Sequence, residues 1–171
     1  MATSVNDRQV NGIDVAAKRQ EQEQARRDPA AFNQNARLTA HWVGGTRARV
    51  EMDGLITYMG GNGEPDAMQS LLAAVAACEI EVIALHAALL GVPLEQVSVE
   101  AEGGFNIAAY LGVEDAPGSG YRTIRLTARL QAPDANPERI SRLCHQVEHS
   151  SPVGDSLVRA VSVDVALEVD S

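Results

Sequence analysis

The chain has 171 residues, the length of one ordinary domain with room for a tail. Apolar residues make up 45%, too many for a disordered chain, and 14 Lys+Arg against 23 Asp+Glu leave a net charge of −9 with the histidines neutral. That balance argues against nucleic acid and anionic membranes as partners, because both select basic surfaces. Aromatic residues contribute only 4%, so a core must be built from Ala, Val, Leu and Ile. Two cysteines, Cys78 and Cys144, are too few for a disulfide scaffold, and the opening MATSVNDRQV has no apolar run of a secretory signal. A cytoplasmic protein is expected.

Residues 1–36 read as an N-terminal extension, partly helical, ahead of a domain over 37–171. Asp14 to Arg27 (DVAAKRQEQEQARR) is rich in helix formers but has almost no apolar stripe. Asn11 or Asp14 can cap it and Asp28-Pro29 should end it. From Leu38 to Val43 apolar and polar residues alternate, Gly44-Gly45 reads as a turn, and RARVEM (47–52) alternates again. Asp53-Gly54 marks a second hairpin before Leu55–Tyr58, giving an antiparallel meander.

After the loop Gly60–Pro65 (GGNGEP), a long helix is predicted from an Asp66 cap to Leu90, stopped by Gly91 and Pro93. Its stretch LLAAVAAC (71–78) is so apolar that burial on most sides is expected. Glu79, Glu81 and His86 make membrane insertion expensive, so a buried helix fits better. Val97–Glu102 and Tyr121–Leu130 alternate like strands around a long loop, Ala109–Gly120. Pro137 opens a helix carrying Ile140, Leu143, Cys144 and Val147 on one stripe. Pro152 interrupts it, a short turn spans Val153–Arg159, and Val161–Val169 (VSVDVALEV) alternates strictly as a last strand. The order argues an α+β fold around one central helix.

Cys78, in the middle of the apolar helix, is either a small core residue or a reactive thiol. Reactivity requires a nearby cation; Arg47 and Arg49 on the meander, or Arg122, Arg125 and Arg129 later, are available. Cys144 reads as a half-buried helix residue. His145 and His149 stand at i and i+4, a spacing able to bind metal, but without the motif of a zinc hydrolase; solvated histidines near a helix end account for them, and no metal is expected. Gly60–Gly63 precedes a helix but lacks the lysine and strand context of a phosphate loop. No cofactor motif is present.

The segment GEPDAMQSLLAAVAACEIEVIALHAALLGVPLEQVSVEAEG resembles the signature of the OsmC/Ohr family, the osmotically inducible and organic-hydroperoxide-resistance proteins. HWVGGTRARV is similar to the family's W-x-GGTR strand pair. Downstream, YLGVEDAPGSGYRTIRL and SSPVGDSL resemble a subgroup, so the likeness runs over about residues 37–169. The resemblance implies antiparallel sheets wrapped around a long buried central helix plus a second helix, in an intertwined homodimer. It implies a peroxidatic thiol at Cys78, organised by an arginine, best matched by Arg47, and by a glutamate. The substrate implied is a small organic hydroperoxide and the reductant a dithiol.

Two positions depart from the pattern. The family's second cysteine is replaced by Ser151, before Pro152-Val153, so an intramolecular disulfide cannot form there. Met68 and Gln69 stand where the acidic residue is expected, nine to ten positions before Cys78. If Ser151 faces Cys78, Cys144 lies about 10 Å along a helix from that position, beyond the roughly 7 Å Cα limit of a disulfide, and whether it can act as resolver stays open. Three functions remain open: a one-cysteine peroxidase using an external thiol, other thiol or acyl chemistry at Cys78 assisted by His145, His149 or Ser151, and a non-catalytic dimer binding a small molecule.

Overall fold

A computed structural model describes residues 9–61, 63–159 and 161–169. The fold is α+β with antiparallel sheets. A short hairpin that the sequence reading did not anticipate comes first. Strands β1 (Gln9–Val10) and β2 (Ile13–Asp14) pair across Asn11-Gly12, both with positive φ as a tight hairpin turn requires. Asn11 is a clip rather than a helix cap. Its amide donates to the Val92 carbonyl at 3.1 Å and accepts from the Leu94 N–H at 2.9 Å. Helix α1 (Val15–Arg27) is capped by Asp14 and ends at Asp28, as its sequence predicts. It buries no residue, and Arg19 ties it to the Leu89 carbonyl at 2.8 Å.

The meander forms as expected: β3 (Thr39–Trp42), β4 (Ala48–Met52) and β5 (Leu55–Met59) are antiparallel, with Ala40, Val50 and Thr57 in register. Helix α2 (Ala67–Leu89) starts with a capping box between Asp66 and Gln69. It ends in a Schellman motif. Gly91 adopts φ +65°, Val92 N–H reaches Ala87 O at 2.8 Å and Gly91 N–H reaches Ala88 O at 3.0 Å. β6 (Gln96–Gly104) pairs along its whole length with β7 (Thr123–Gln131). Helices α3 (Pro137–Val147) and α4 (Pro152–Val158) follow, α4 occupying the segment read as a turn.

The core sits where the C-terminal half of α2 meets β6, β7 and α3. Ala87, Val92 and Leu143 are fully buried, packed by Leu94, Leu130, Ile140 and Val147 among others. Three members of the predicted α3 stripe therefore face inward, whereas Cys144 is exposed. By length and composition α2 could cross a membrane, but it packs on β6, α3, α4, α1 and β1 as a core helix does.

Two expectations need correction for the single chain. Val161–Val169 forms no strand among the described residues, and Val163, Val165, Leu167 and Val169 are each at least 80% exposed. Alternation dictates which face a strand would bury, but a strand also needs an edge to pair with, and this segment pairs with none of the described sheets. The burial of α2 is also one-sided. Val75, Val82, Ile83, Ala87 and Ala88 are buried, while Ala73, Ala74, Ala77 and Ile80 are open to solvent. The meander leaves Leu38, Trp42, Leu55 and Ile56 exposed as well. In total the chain exposes 13356 Å², against about 8,000 Å² for a compact monomer of 18.2 kDa by surface–mass scaling.

Candidate functional site

Two clusters of reactive groups occupy different levels of α2. At mid-helix Cys78 is half-buried and unbridged. Ser151, the residue in place of a second cysteine, directs its hydroxyl at the thiol: Ser151 Oγ donates to Cys78 Sγ at 3.3 Å. Ser151 is held there because it caps α4, accepting the Gly154 N–H at 3.1 Å, while Pro152 fixes the first turn. The alignment that sets position 151 opposite Cys78 thus has a direct geometric counterpart. A cleft of about 390 Å³ opens beside Ser151, lined also by Glu79, Leu126, His149 and Asp155 among others. Desolvation pushes the Glu79 carboxyl above the ordinary glutamate range.

The second cluster lies at the N-terminal end of α2. Arg47, at the foot of β4, grips Glu64 with two hydrogen bonds, Nε to Oε2 at 2.8 Å and a terminal nitrogen to Oε1 at 2.5 Å. The guanidinium also lies 4.2 Å over the Tyr58 ring. This fork geometry belongs to arginine, and lysine would not reproduce it. Glu64 is the acidic partner that the sequence reading did not find. It comes from the glycine loop, 14 positions before Cys78, instead of from the helix. Gln69, at an expected position, serves the capping box instead, accepting from the Asp66 N–H at 3.0 Å. The only sequence signal for Glu64 was a lone acidic residue within GGNGEP.

The loop reaches Arg47 because of Gly60. It has φ +80°, and a Cβ there would meet the Thr46 carbonyl oxygen at 2.3 Å, so only glycine allows the chain to turn this close to β4. Thr46 Oγ1 donates to the Gly60 carbonyl at 2.9 Å and closes the corner. Beyond it lies a cleft of about 500 Å³ walled by Glu64, Met68, Phe105, Ile107 and Tyr110 among others. Tyr121 braces one side: its hydroxyl donates to the Met68 carbonyl at 2.8 Å and its ring meets Phe105 edge-on at 5.2 Å. Desolvation raises the Tyr121 phenol above its usual range, so this donor stays protonated.

Arg47 holds the Glu64 carboxyl below the ordinary carboxylate range through hydrogen bonds and charge, partly opposed by desolvation. A folded-state pKa below the unfolded one, about 4.3 for glutamate, stabilises the fold above that pH. The contribution is lost as pH falls through the folded value. Glu64→Gln is therefore expected to lower the melting temperature at pH 7, and the gap from wild type should narrow as the pH is taken down into the carboxylate range; thermal melts across that range check this.

Within one chain the clusters do not meet. Eleven helical residues from Ala67 to Cys78 rise about 16 Å, so Arg47 stands at the end of α2 while Cys78 and Ser151 stand at its middle. Cys144 is exposed and unbridged on α3. His145, in the last turn of α3, lies with Glu148 and His149 just beyond it.

Against known proteins, the sequence profile of OsmC-like proteins matches residues 60–166. This span contains Glu64, Cys78 and Ser151 and begins at the Gly60 corner. The chain belongs to the OsmC/Ohr family. Solved structures agree on the OsmC-like fold. An OsmC-like protein from Mycoplasma pneumoniae superposes with a TM-score of 0.62 at 16% identity, covering 74% of this chain and 89% of that one. An OsmC-like protein of unknown function from Vibrio cholerae gives 0.56 at 11% identity, with 72% and 94% covered. An organic hydroperoxide resistance protein from Legionella pneumophila gives 0.52 at 21% identity, with 72% and 89% covered. No curated protein sequence matches.

Proposed function

We propose that this OsmC-like protein is a one-cysteine thiol peroxidase for small organic hydroperoxides, acting through Cys78 in an intertwined homodimer. The observation that carries the chemistry is the Cys78–Ser151 pair, a thiol with a hydroxyl donor 3.3 Å away, the serine itself lining a cleft. The Cys78 thiolate attacks the outer oxygen of the hydroperoxide. An S–O bond forms, the O–O bond breaks, and the alkoxide leaves as an alcohol after taking a proton. Cys78 is thereby oxidised to sulfenic acid. Ser151 stands close enough to hydrogen-bond the transferred oxygen but cannot form a disulfide. Resolution falls to an external dithiol: one sulfur displaces hydroxide, released as water, to give a mixed disulfide, and the second sulfur frees the Cys78 thiol and leaves as the oxidised dithiol.

The cation this chemistry needs is assigned to Arg47 of the partner subunit, positioned by the Glu64 clamp. The homodimer explains three features of the single chain together. These are the open Ala73–Ala77–Ile80 face of α2, the uncovered apolar side chains of the meander, and the alternating segment 161–169 that pairs with no strand of its own chain. The excess of exposed surface, on the order of 5,000 Å² per chain, exceeds the roughly 1,000–2,500 Å² per partner of most obligate dimers, as an intertwined assembly requires. The domain division at residue 36, the cytoplasmic location and the absence of any required cofactor belong to the same proposal.

Sedimentation velocity tests the assembly. The full chain is expected to sediment at twice its 18.2 kDa mass, and a chain ending at Arg159 should dissociate at micromolar concentration. A full chain that stays monomeric would remove the composite site.

The alternative, a dimer that binds a small molecule without turning it over, is favoured by one observation: the cleft walled by Met68, Phe105, Ile107 and Tyr110 is a ready apolar site. The two differ in whether Cys78 is consumed by peroxide.

A further inference from the structure

The C-terminal end of α3 presents a cluster that the Cys78 chemistry does not use. His145 and His149 are four residues apart and Glu148 three from His145, so all three side chains project from one face of the helical turn. Their ligating atoms lie within 4.8 Å of one another. The two imidazole rings meet edge to face, with centroids 5.5 Å apart. We propose that His145, Glu148 and His149 bind one first-row divalent transition-metal ion, of the zinc, nickel or copper class.

The donor set selects this class. Two imidazoles and one carboxylate suit zinc, copper and nickel, whereas magnesium and calcium prefer shells made of oxygen. The turn that carries them is organised. Glu148 N–H continues the helical pattern to the Cys144 carbonyl at 3.3 Å, and Ser150 Oγ donates to the Gln146 carbonyl at 2.6 Å. Helical spacing therefore persists past Val147, where α3 formally ends. The carbonyls of this last turn present the negative end of the helix dipole, which favours a cation. Among the described residues Glu148 has no ion-pair partner, in contrast to Glu64 in its clamp. No arginine or lysine has to be displaced for an ion to bind.

Zinc with nitrogen ligands at about 2.0–2.1 Å needs donor atoms closer together than 4.8 Å. All three side chains are exposed, so rotamer changes close the gap at little cost. Three protein ligands leave a fourth position for water. Cys144, adjacent to His145, is not one of the converging groups. Glu148 and His149 also line the cleft shared by Glu79 and Ser151, so a bound ion sits at the rim of that cleft.

The test is calorimetric titration of tag-free, full-length Cys78→Ser/Cys144→Ser protein with zinc chloride and with nickel chloride, which removes thiolate sites from the readout. One ion per chain is expected. His145→Ala and His149→Ala should each weaken binding at least about tenfold, with a smaller loss for Glu148→Gln. Far-UV circular dichroism and melting temperatures confirm that these surface variants fold. Saturable binding that persists unchanged in the His145→Ala/His149→Ala double variant would overturn the site, as would the absence of saturable binding at millimolar metal.

Discussion

In Cys78→Ser, consumption of cumene hydroperoxide is expected to fall to the rate of the reductant alone. The loss should be at least about a thousandfold, the scale on which removal of a covalent nucleophile acts. A serine hydroxyl is only slightly smaller than the thiol and can hydrogen-bond Ser151, so the loss should come without unfolding. Alcohol oxygen does not open an O–O bond at neutral pH, whereas a thiolate does. The same substitution should leave the Arg47–Glu64 clamp intact, because neither of its hydrogen bonds involves Cys78. Coupled turnover with a dithiol, followed at the absorbance of the oxidised reductant, measures the effect. Wild-type activity in this variant would transfer the chemistry to Cys144 or abolish it as a function of this chain.

Ser151→Cys is expected to convert the protein from one-cysteine to two-cysteine chemistry. Ser151 Oγ is 3.3 Å from Cys78 Sγ, and a disulfide closes at about 2.05 Å, so little more than 1 Å of approach is required. After one equivalent of peroxide the Cys78 sulfenic acid should condense with the new thiol, releasing water and forming the disulfide. Peptide mapping should show a 78–151 link and no remaining sulfenic acid. The variant also loses a helix cap on α4, at a cost of about 1 kcal/mol, so a slightly lower melting temperature is expected beside the new bridge. A folded Ser151→Cys protein that keeps a trappable sulfenic acid and no disulfide would show that the pair separates in solution.

Local pattern carried much of the fold into view. Alternation and the turn pairs Gly44-Gly45 and Asp53-Gly54 specified the meander. Asp66 and Gly91 bounded α2 because one caps its first turn and the other alone accepts the left-handed conformation after its last. The likeness of SSPVGDSL to its family counterpart aligned Ser151 with the missing cysteine, and the structure sets the hydroxyl against Cys78. What stayed hidden depended on tertiary contact. Glu64 meets Arg47 only because the loop turns back at Gly60, and no spacing rule links residues 17 positions apart across a glycine loop. Asn11 clips Val92 and Leu94 from more than eighty residues away. Cys144 shared a helical stripe with Leu143 and Val147, yet it lies at the edge of that stripe, outside the packed face. The alternation of 161–169 identifies a strand face but carries no information about the edge it joins, whether in this chain or a second copy.

The central claim is that Cys78 is a peroxide-reactive thiolate. Intact-mass spectrometry of the reduced full chain, treated with substoichiometric cumene hydroperoxide in the presence of dimedone, tests it most directly. A single dimedone adduct mapped to Cys78, absent from Cys78→Ser, is the predicted result. An unmodified Cys78, under conditions that label a known thiol peroxidase, would contradict the claim and leave the apolar cleft at the start of α2 as the functional site.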